Sequence, residues 1–364
     1  MDSNELDTIP TPVRASGPGG VLIVPYQWIG DFVRIHSVVK LLKSQDKSCP
    51  IDILATTNNA ALLDYMPGVR KGVVADLPRK RLALRRHLTL AKRLRAEHYE
   101  RALIMPRTWK AALAPMLAGI RERSGFVGEW RFGLVNDLRF GEKRLPRMID
   151  QCAALALPAG AELPDEWPLP ELKVPAAEIA AWRVRMNLPD NGRRVVALAP
   201  GAVGPSKRWQ VEDYHAVALA LGREGIDVWV VGGPGERSLA REICTGNANA
   251  HDLTGTDLRN AIIALAVAHV AVSNDSGLLH VAAALGTPSI GIFGPTSPWH
   301  WAPLNPLAAI VQTERPLECQ PCHLPVCKEG HHLCMREISV ARVMRLVHAA
   351  LENPAARVTP LPAA

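Results

Sequence analysis

No stretch of this chain reaches the roughly eighteen uninterrupted apolar residues that a helix needs to cross a bilayer, so the sequence encodes no helical membrane span. Aromatic residues are scarce, at 5%. Neither a Walker A loop nor the full Gly-x-Gly-x-x-Gly fingerprint is present, so the P-loop and standard dinucleotide sites are not indicated. There is no Asp-x-Asp pair, so a metal-bridged diphosphate is not indicated either. The first twenty residues lack a basic segment followed by an apolar core, which argues against a secretory signal. They are polar and rich in Pro and Gly, and read as a disordered tail. The expected location is the cytoplasm, with the 7 cysteines mostly reduced.

What is present is ample for a folded core: 364 residues, 48% of them hydrophobic. That length predicts two domains. The formal charge of +7 points to anionic partners without choosing among phosphorylated substrates, nucleic acid and an acidic membrane surface.

Apolar runs of strand length alternate with segments of helical period. Strands are expected at Val21–Val24, Ile51–Leu54, Val73–Val74, Ala102–Met105, Val195–Leu198, Val228–Val231, Asp252–Gly255, Val270–Val272 and Ile290–Phe293. Helices are expected between them, from Phe32, Asn58, Ala111, Met148, Tyr214, Arg237 and Leu258, with a last amphipathic helix at Ser339–Glu352. The stretch Gly119–Arg139 reads as loop-rich and polar-aromatic, and the prolines of Pro158–Pro175 as an interdomain connection. The boundaries drawn are a tail at 1–20, an N-terminal domain at 21–172, a linker at 173–190, a C-terminal domain at 191–338, a helix at 339–352 and a tail at 353–364. Alternation on both sides of the linker predicts two doubly wound parallel-sheet domains with a cleft between them. Ligands then sit at the carboxyl ends of strands.

The most informative stretch is Ser273-Asn274-Asp275-Ser276-Gly277-Leu278-Leu279-His280. It is a polar turn between a buried strand and a helix, where α/β proteins hold phosphates. Asp275 or Ser276 as an ordinary helix cap, with His280 packed inside, is the plainer alternative. Lys207, in a loop after a strand, could neutralise a phosphate. Gly232-Gly233-Pro234-Gly235 lets backbone approach a nucleotide closely, and Glu236 could take both ribose hydroxyls. In the other half, Asp31 follows Gly30 at a strand-to-helix turn. It is a candidate general base, or a helix cap whose pKa the helix N-terminus would lower.

Two further features stand apart. Arg79–Arg95 interleaves basic residues with leucines at helical spacing, and reads as a solvated amphipathic helix or as a face for anionic lipid. Cys319, Cys322, Cys327 and Cys334 are close enough in sequence to suit a tetrahedral structural zinc. The second pair departs from the usual Cys-x2-Cys spacing, and metal-free thiols are the alternative.

Several stretches together resemble the bacterial lipopolysaccharide heptosyltransferases of glycosyltransferase family 9. They are Ile23-Val24-Pro25 with Trp28-Ile29-Gly30-Asp31, the run from Pro106 through Thr108-Trp109-Lys110, and Arg123-x-Gly125-Phe126-x-Gly128-Glu129-x-Arg131. To these are added Pro200-Gly201-Ala202 with Lys207-Arg208-Trp209, and Asn274-Asp275-Ser276-Gly277 with His280. The resemblance implies a GT-B fold and metal-independent, inverting transfer of heptose from ADP-heptose to the heptose of a lipid A–Kdo acceptor, at the inner leaflet and with no nucleic-acid partner. It implies Asp31 as general base, Lys207 on the leaving pyrophosphate, Asp275, Ser276, Gly277 and His280 around the ADP, and Glu236 more loosely on the ribose. Lys110, Arg123, Glu129 and Arg131 would lie on the acceptor side. The alternatives are transfer of a first heptose or of another sugar, a sugar-nucleotide epimerase of similar plan, and a zinc-dependent binding protein.

Overall fold

The computed structural model describes residues 19–78, 81–145, 147–188 and 190–354. The expected tail at 1–20 therefore lies almost wholly outside the described residues, as do Arg79, Lys80 and the chain beyond 354. Among the described residues no helix is long and apolar enough to cross a membrane.

The chain forms two compact units. The first takes in the chain to Gln27, Ile35–Leu63 and Gly68–Pro168. The second takes in Trp28–Arg34, Asp64–Pro67 and the chain from Leu169 onward.

The elements of the first half are β1 (Val21–Val24), α1 (Ile29–Gln45), β2 (Ile51–Ala55), α2 (Ala60–Leu63), β3 (Lys71–Val74) and α3 (Leu84–Arg95). They continue with β4 (Arg101–Ile104), α4 (Trp109–Leu117), β5 (Glu122–Phe126), β6 (Asp137–Arg139) and α5 (Met148–Ala154). Their 6-stranded sheet runs β3-β2-β1-β4-β5-β6, with every pairing parallel. Central strands of a parallel sheet are covered on both faces and so read as continuous apolar runs. Val21-Leu22-Ile23-Val24 is such a run, buried throughout. Burying each such side chain contributes on the order of 1.5–3 kcal/mol.

The second half holds α6 (Ala176–Arg185), β7 (Val195–Ala199), α7 (Val211–Arg223), β8 (Asp227–Val230), α8 (Arg237–Cys244), β9 (Ala250–Asp252) and α9 (Leu258–Val267). After them come β10 (Val270–Asn274), α10 (Gly277–Ala284), β11 (Ser289–Ile292), α11 (Pro298–Trp301), β12 (Ala308–Val311), α12 (Leu333–Arg336) and α13 (Val340–Glu352). The sheet order is β12-β11-β10-β7-β8-β9, again parallel throughout. Both sheets therefore have the same doubly wound order, and the second reverses direction between β7 and β10. A crevice opens outside the carboxyl ends of the strands at such a reversal. The turns after β7 and β10 are the ones that carry Lys207 and Asp275.

The loop-rich stretch expected over Gly119–Arg139 keeps its loop at 127–136 but is flanked by two strands that were not expected, β5 and β6. β5 reads Glu-Arg-Ser-Gly-Phe, and β6, at the sheet edge, is only half-buried, so neither shows the apolar run of a central strand. β12 escaped for the same reason, being an edge strand with alternating burial. Within 173–190 lies α6, whose Trp182 is fully buried and donates from Nε1 to Asn260 Oδ1 at 2.8 Å.

Candidate functional site

The polar residues of the β7–β10 reversal are tied to one another. Asn274, at the end of β10, accepts the backbone N–H of Trp209 at 3.1 Å and donates to Pro200 O at 2.7 Å. It thereby pins both ends of the loop after β7 to the end of β10. Lys207 ends a short 3-10 turn, Pro205–Lys207, and its Nζ lies 2.6 Å from Asp275 Oδ2. The same oxygen accepts from Thr296 Oγ1 at 2.7 Å. Asp275 is buried, and a buried carboxylate needs such partners to offset its lost hydration.

Neither Asp275 nor Ser276 caps α10 with its side chain. Ser276 Oγ instead meets Ser273 Oγ at 3.0 Å. The first amides of α10 are therefore not taken by a side-chain cap, and they point out of a helix N-terminus, where the backbone dipole favours anions.

The first turn of α1 packs against the first turn of α10. A Cβ at Gly277 would stand 2.6 Å from Ile29 Cβ, and one at Gly30 would stand 2.6 Å from His280 Cδ2. Only glycine on each side allows this approach. The sequence reading placed Asp31 across from the donor residues, in the other domain. In the structure Asp31 groups with them in the second unit. It lies in the first turn of α1, so it is not the cap of a helix starting at Phe32. Its pKa is raised, chiefly by burial and also by the charge of Asp275, against the lowering effects of Arg34, Lys207 and His300. The expectation of a pKa lowered by the helix end is thus reversed, because desolvation dominates.

His280 is buried. Burial, with Arg34 and Lys207 beside it, holds the imidazole well below its usual pKa and hence neutral. Its Nε2 lies 3.5 Å from Arg34 Nη2. Arg34 also donates to the carbonyls of Trp301, Ala302 at 3.3 Å and His300 at 3.5 Å. Glu236 accepts the N–H of Gly233 at 2.8 Å, and its carboxyl carbon lies where a Cβ on Gly201 would come within 2.9 Å. That sets Glu236 beside the loop after β7.

Arg34 and Thr296 join this candidate cluster through His280 and Asp275 and were not singled out from the sequence. Arg34 lies three positions after Asp31, a spacing that shares a helix face. Thr296 follows β11, the neighbour of β10, at the same carboxyl edge. Both signals were available.

The cysteine-bearing segment braces this site. Ser206, next to Lys207, donates from its N–H to Pro325 O at 3.2 Å and from Oγ to Leu324 O at 2.5 Å, and its carbonyl accepts from His332 Nε2 at 2.6 Å. Gln320 Nε2 donates to Gly294 O at 2.7 Å and His323 N–H to Pro295 O at 2.8 Å, which fixes the loop of Thr296. Cys319, Cys322, Cys327 and Cys334 are free thiols. Among the described residues no three His, Cys, Asp or Glu side chains are grouped to hold a metal ion. The Cys334 thiol is pushed up to about 11 by burial, with the other three cysteines adding to the shift.

The four residues expected on the acceptor side lie in the first unit. Arg131 is 1% exposed, and its guanidinium donates to Pro106 O and, at 3.5 Å, to Ile104 O. Arg123 donates to Leu134 O at 2.7 Å, Ile120 O at 2.5 Å and Gly133 O at 3.4 Å. Both arginines hold loop backbone. Glu129 is exposed. Lys110 is half-buried, with Nζ 6.0 Å from the Trp109 ring centroid.

Comparison with known proteins sharpens this picture. The sequence profile of glycosyltransferase family 9 (heptosyltransferase) matches residues 87–333. Lipopolysaccharide heptosyltransferase 2 of Escherichia coli K12 is 31% identical over 344 residues, covering 91% of this chain and 98% of that protein. Lipooligosaccharide heptosyltransferase 2 of Haemophilus ducreyi is 33% identical over 341 residues, covering 89% and 97%. Among solved structures, that of E. coli ADP-heptose LPS heptosyltransferase II superposes with a TM-score of 0.82 at 30% identity, covering 93% of this chain and 100% of that one.

Proposed function

This chain belongs to glycosyltransferase family 9, the heptosyltransferases, and from that premise we propose that it transfers L-glycero-D-manno-heptose from ADP-heptose to the inner-core heptose of a lipopolysaccharide acceptor. It is a glycosyltransferase with a two-sheet α/β fold of the heptosyltransferase II type. What carries the reading is the match along nearly the whole length of lipopolysaccharide heptosyltransferase 2, 98% of that protein.

The site residues fit the chemistry. In our reading an acceptor hydroxyl oxygen attacks the anomeric carbon from the face opposite the diphosphate. The carbon–oxygen bond to ADP breaks, its electron pair leaves on the β-phosphate, and the configuration inverts. The hydroxyl proton passes to Asp31, whose raised pKa brings it nearer the optimum for a base at neutral pH. Lys207 and the first amides of α10 meet the diphosphate and stabilise the charge that develops on it.

Asp275 is then a positioning residue. It lies 2.6 Å from Lys207 Nζ, and a carboxylate facing a diphosphate directly would repel it. Ser276 and Gly277 offer backbone to the phosphates. His280, neutral and packed against Gly30, supports the turn that carries Asp31. Glu236 accepts ribose hydroxyls. The transfer is read as needing no metal, because Lys207 and the helix terminus supply the positive field. The acceptor is lipid-anchored, so the enzyme works at the cytoplasmic face of the membrane.

The test is a donor and acceptor screen read by mass spectrometry, with no divalent metal added. The expected result is one heptose added to a heptose-bearing acceptor, with ADP released. Release of ADP without acceptor, or transfer only to an acceptor lacking heptose, overturns the assignment.

A further inference from the structure

The end of the first unit where its strands finish carries an apolar, cationic surface that the chemistry above does not use. In a parallel sheet each helix runs back against its preceding strand, so the N-termini of α3 and α4 and the loop after β5 all lie at that end. Several observations support the grouping. α3 and α4 pack against each other, and the pKa of His87 in the first turn of α3 is lowered by burial and also by the charge of Lys110 at the start of α4. Glu129 N–H donates to Arg107 O at 3.1 Å, and Gly128 packs on Arg107 so closely that no Cβ would fit.

Here Leu84 and Leu88 are 51% and 50% exposed, and Trp130 is 90% exposed. Leu84 and Leu88 are four residues apart and share one face of α3, while His87, Leu90, Ala91 and Leu94 turn inward. Arg81, Arg85 and Lys92 are exposed. Arg86 and Arg93 instead hold the end of β3, donating to Asp76 O and Val74 O at 2.9 Å each. Among the described residues of these loops and helix starts, the exposed acidic side chains are Asp76 and Glu129.

α3 is also built against its own interest. Its sequence, LRRHLTLAKRLR, contains no acidic residue, and no side chain caps its N-terminus. Two arginines stand in the first turn, where the helix dipole disfavours cations. A local rule broken without local compensation marks a surface selected for something other than folding. Basic side chains beside exposed Leu and Trp match a layer whose surface is anionic and whose interior is apolar.

We propose that this end of the first unit docks on an anionic phospholipid bilayer, with Leu84, Leu88 and Trp130 entering the headgroup boundary and Arg81, Arg85 and Lys92 facing lipid phosphates. The inference deepens the reading of a lipid-anchored acceptor and rests on it.

The test is co-sedimentation of the full chain with phosphatidylcholine vesicles, with and without phosphatidylglycerol, containing no acceptor. The protein should sediment with the anionic vesicles at low salt and stay in solution with the neutral ones. Leu84→Glu with Leu88→Glu, and separately Arg85→Glu with Lys92→Glu, should each weaken binding about tenfold or more. Trp130→Ser, in a loop outside the helices, should weaken it severalfold and serves if the α3 variants lose their thermal transition. No sedimentation with anionic vesicles, or equal sedimentation by wild type and all variants, overturns the proposal. So does a concentration-dependent dimer abolished by the leucine variants, which would assign the face to a second copy. Transfer to a detergent-solubilised acceptor, measured in parallel, separates the two readings. Transfer without vesicle binding overturns the docking alone, and vesicle binding without transfer overturns the function alone.

Discussion

The β7–β10 crevice and the loops after β4 and β5 both hold dense charge, and they use it in opposite ways. In the crevice Lys207 and Thr296 converge on one oxygen of Asp275, and the Asn274 side chain holds the backbone at both ends of the loop after β7. In the first unit Arg123 and Arg131 bind backbone carbonyls. Side chains that hold other side chains at a sheet reversal are set in geometry for a ligand. Arginines engaged by carbonyls satisfy buried backbone acceptors, and a ligand would have to displace those bonds.

The widest separation between the two regions should come from Asp31. Asp31→Asn keeps the shape and removes the base, so turnover should fall roughly 10³-fold while ADP affinity, by calorimetry, stays within about twofold. Because burial raises the Asp31 pKa, kcat/KM of the wild type should fall, as the pH drops, from above the ordinary carboxylate range. That limb should be absent from the residual activity of Asp31→Asn. Equal loss of ADP affinity would make Asp31 a structural group and erase the contrast.

The next effect concerns Lys207 and Asp275. Lys207→Ala should cost about 10²-fold in kcat/KM, as for a lost charge-stabilising donor. If Asp275 acts by holding Lys207, Asp275→Asn should cost less, and the double variant should lose no more than Lys207→Ala alone. Additive losses would mean that Asp275 meets the donor independently.

The apolar runs of β1, β2, β7, β8, β10 and β11 were readable because strands buried on both faces leave few polar residues. Asp31, Lys207 and Asp275 stood out as candidates for a related reason, since each closes or follows a strand where the pattern breaks into polar turn residues. β5, β6 and β12 were hidden because their sequences or half-exposed edges carry no such signature. Arg123 and Arg131, expected on the acceptor side from the resemblance, bond to backbone carbonyls, and a sequence displays charge but not its hydrogen-bond partner. The first turn of α1 belongs with the second unit through a glycine-to-helix contact that no local pattern announces. That contact groups Asp31 with Lys207, Asp275 and His280 in the second unit.

The smallest effect on catalysis, and the most pointed comparison, sets Arg131 against Lys110. Arg131→Met would leave the carbonyls of Pro106 and Ile104 without their donor. Unsatisfied buried acceptors cost roughly 1–3 kcal/mol each, so the variant should show a clearly lower Tm. Its KM for acceptor should stay near wild type once the folded fraction is counted. Lys110→Met removes a cation–π contact with Trp109 of about 0.5–1 kcal/mol from a side chain that is only half-buried, so Tm should fall less than in Arg131→Met. If Lys110 does face the acceptor, its KM should rise severalfold. An Arg131→Met protein with unchanged Tm and a raised acceptor KM would reverse the pair, making the buried arginine a ligand contact and the loops of the first unit as much a binding site as the crevice.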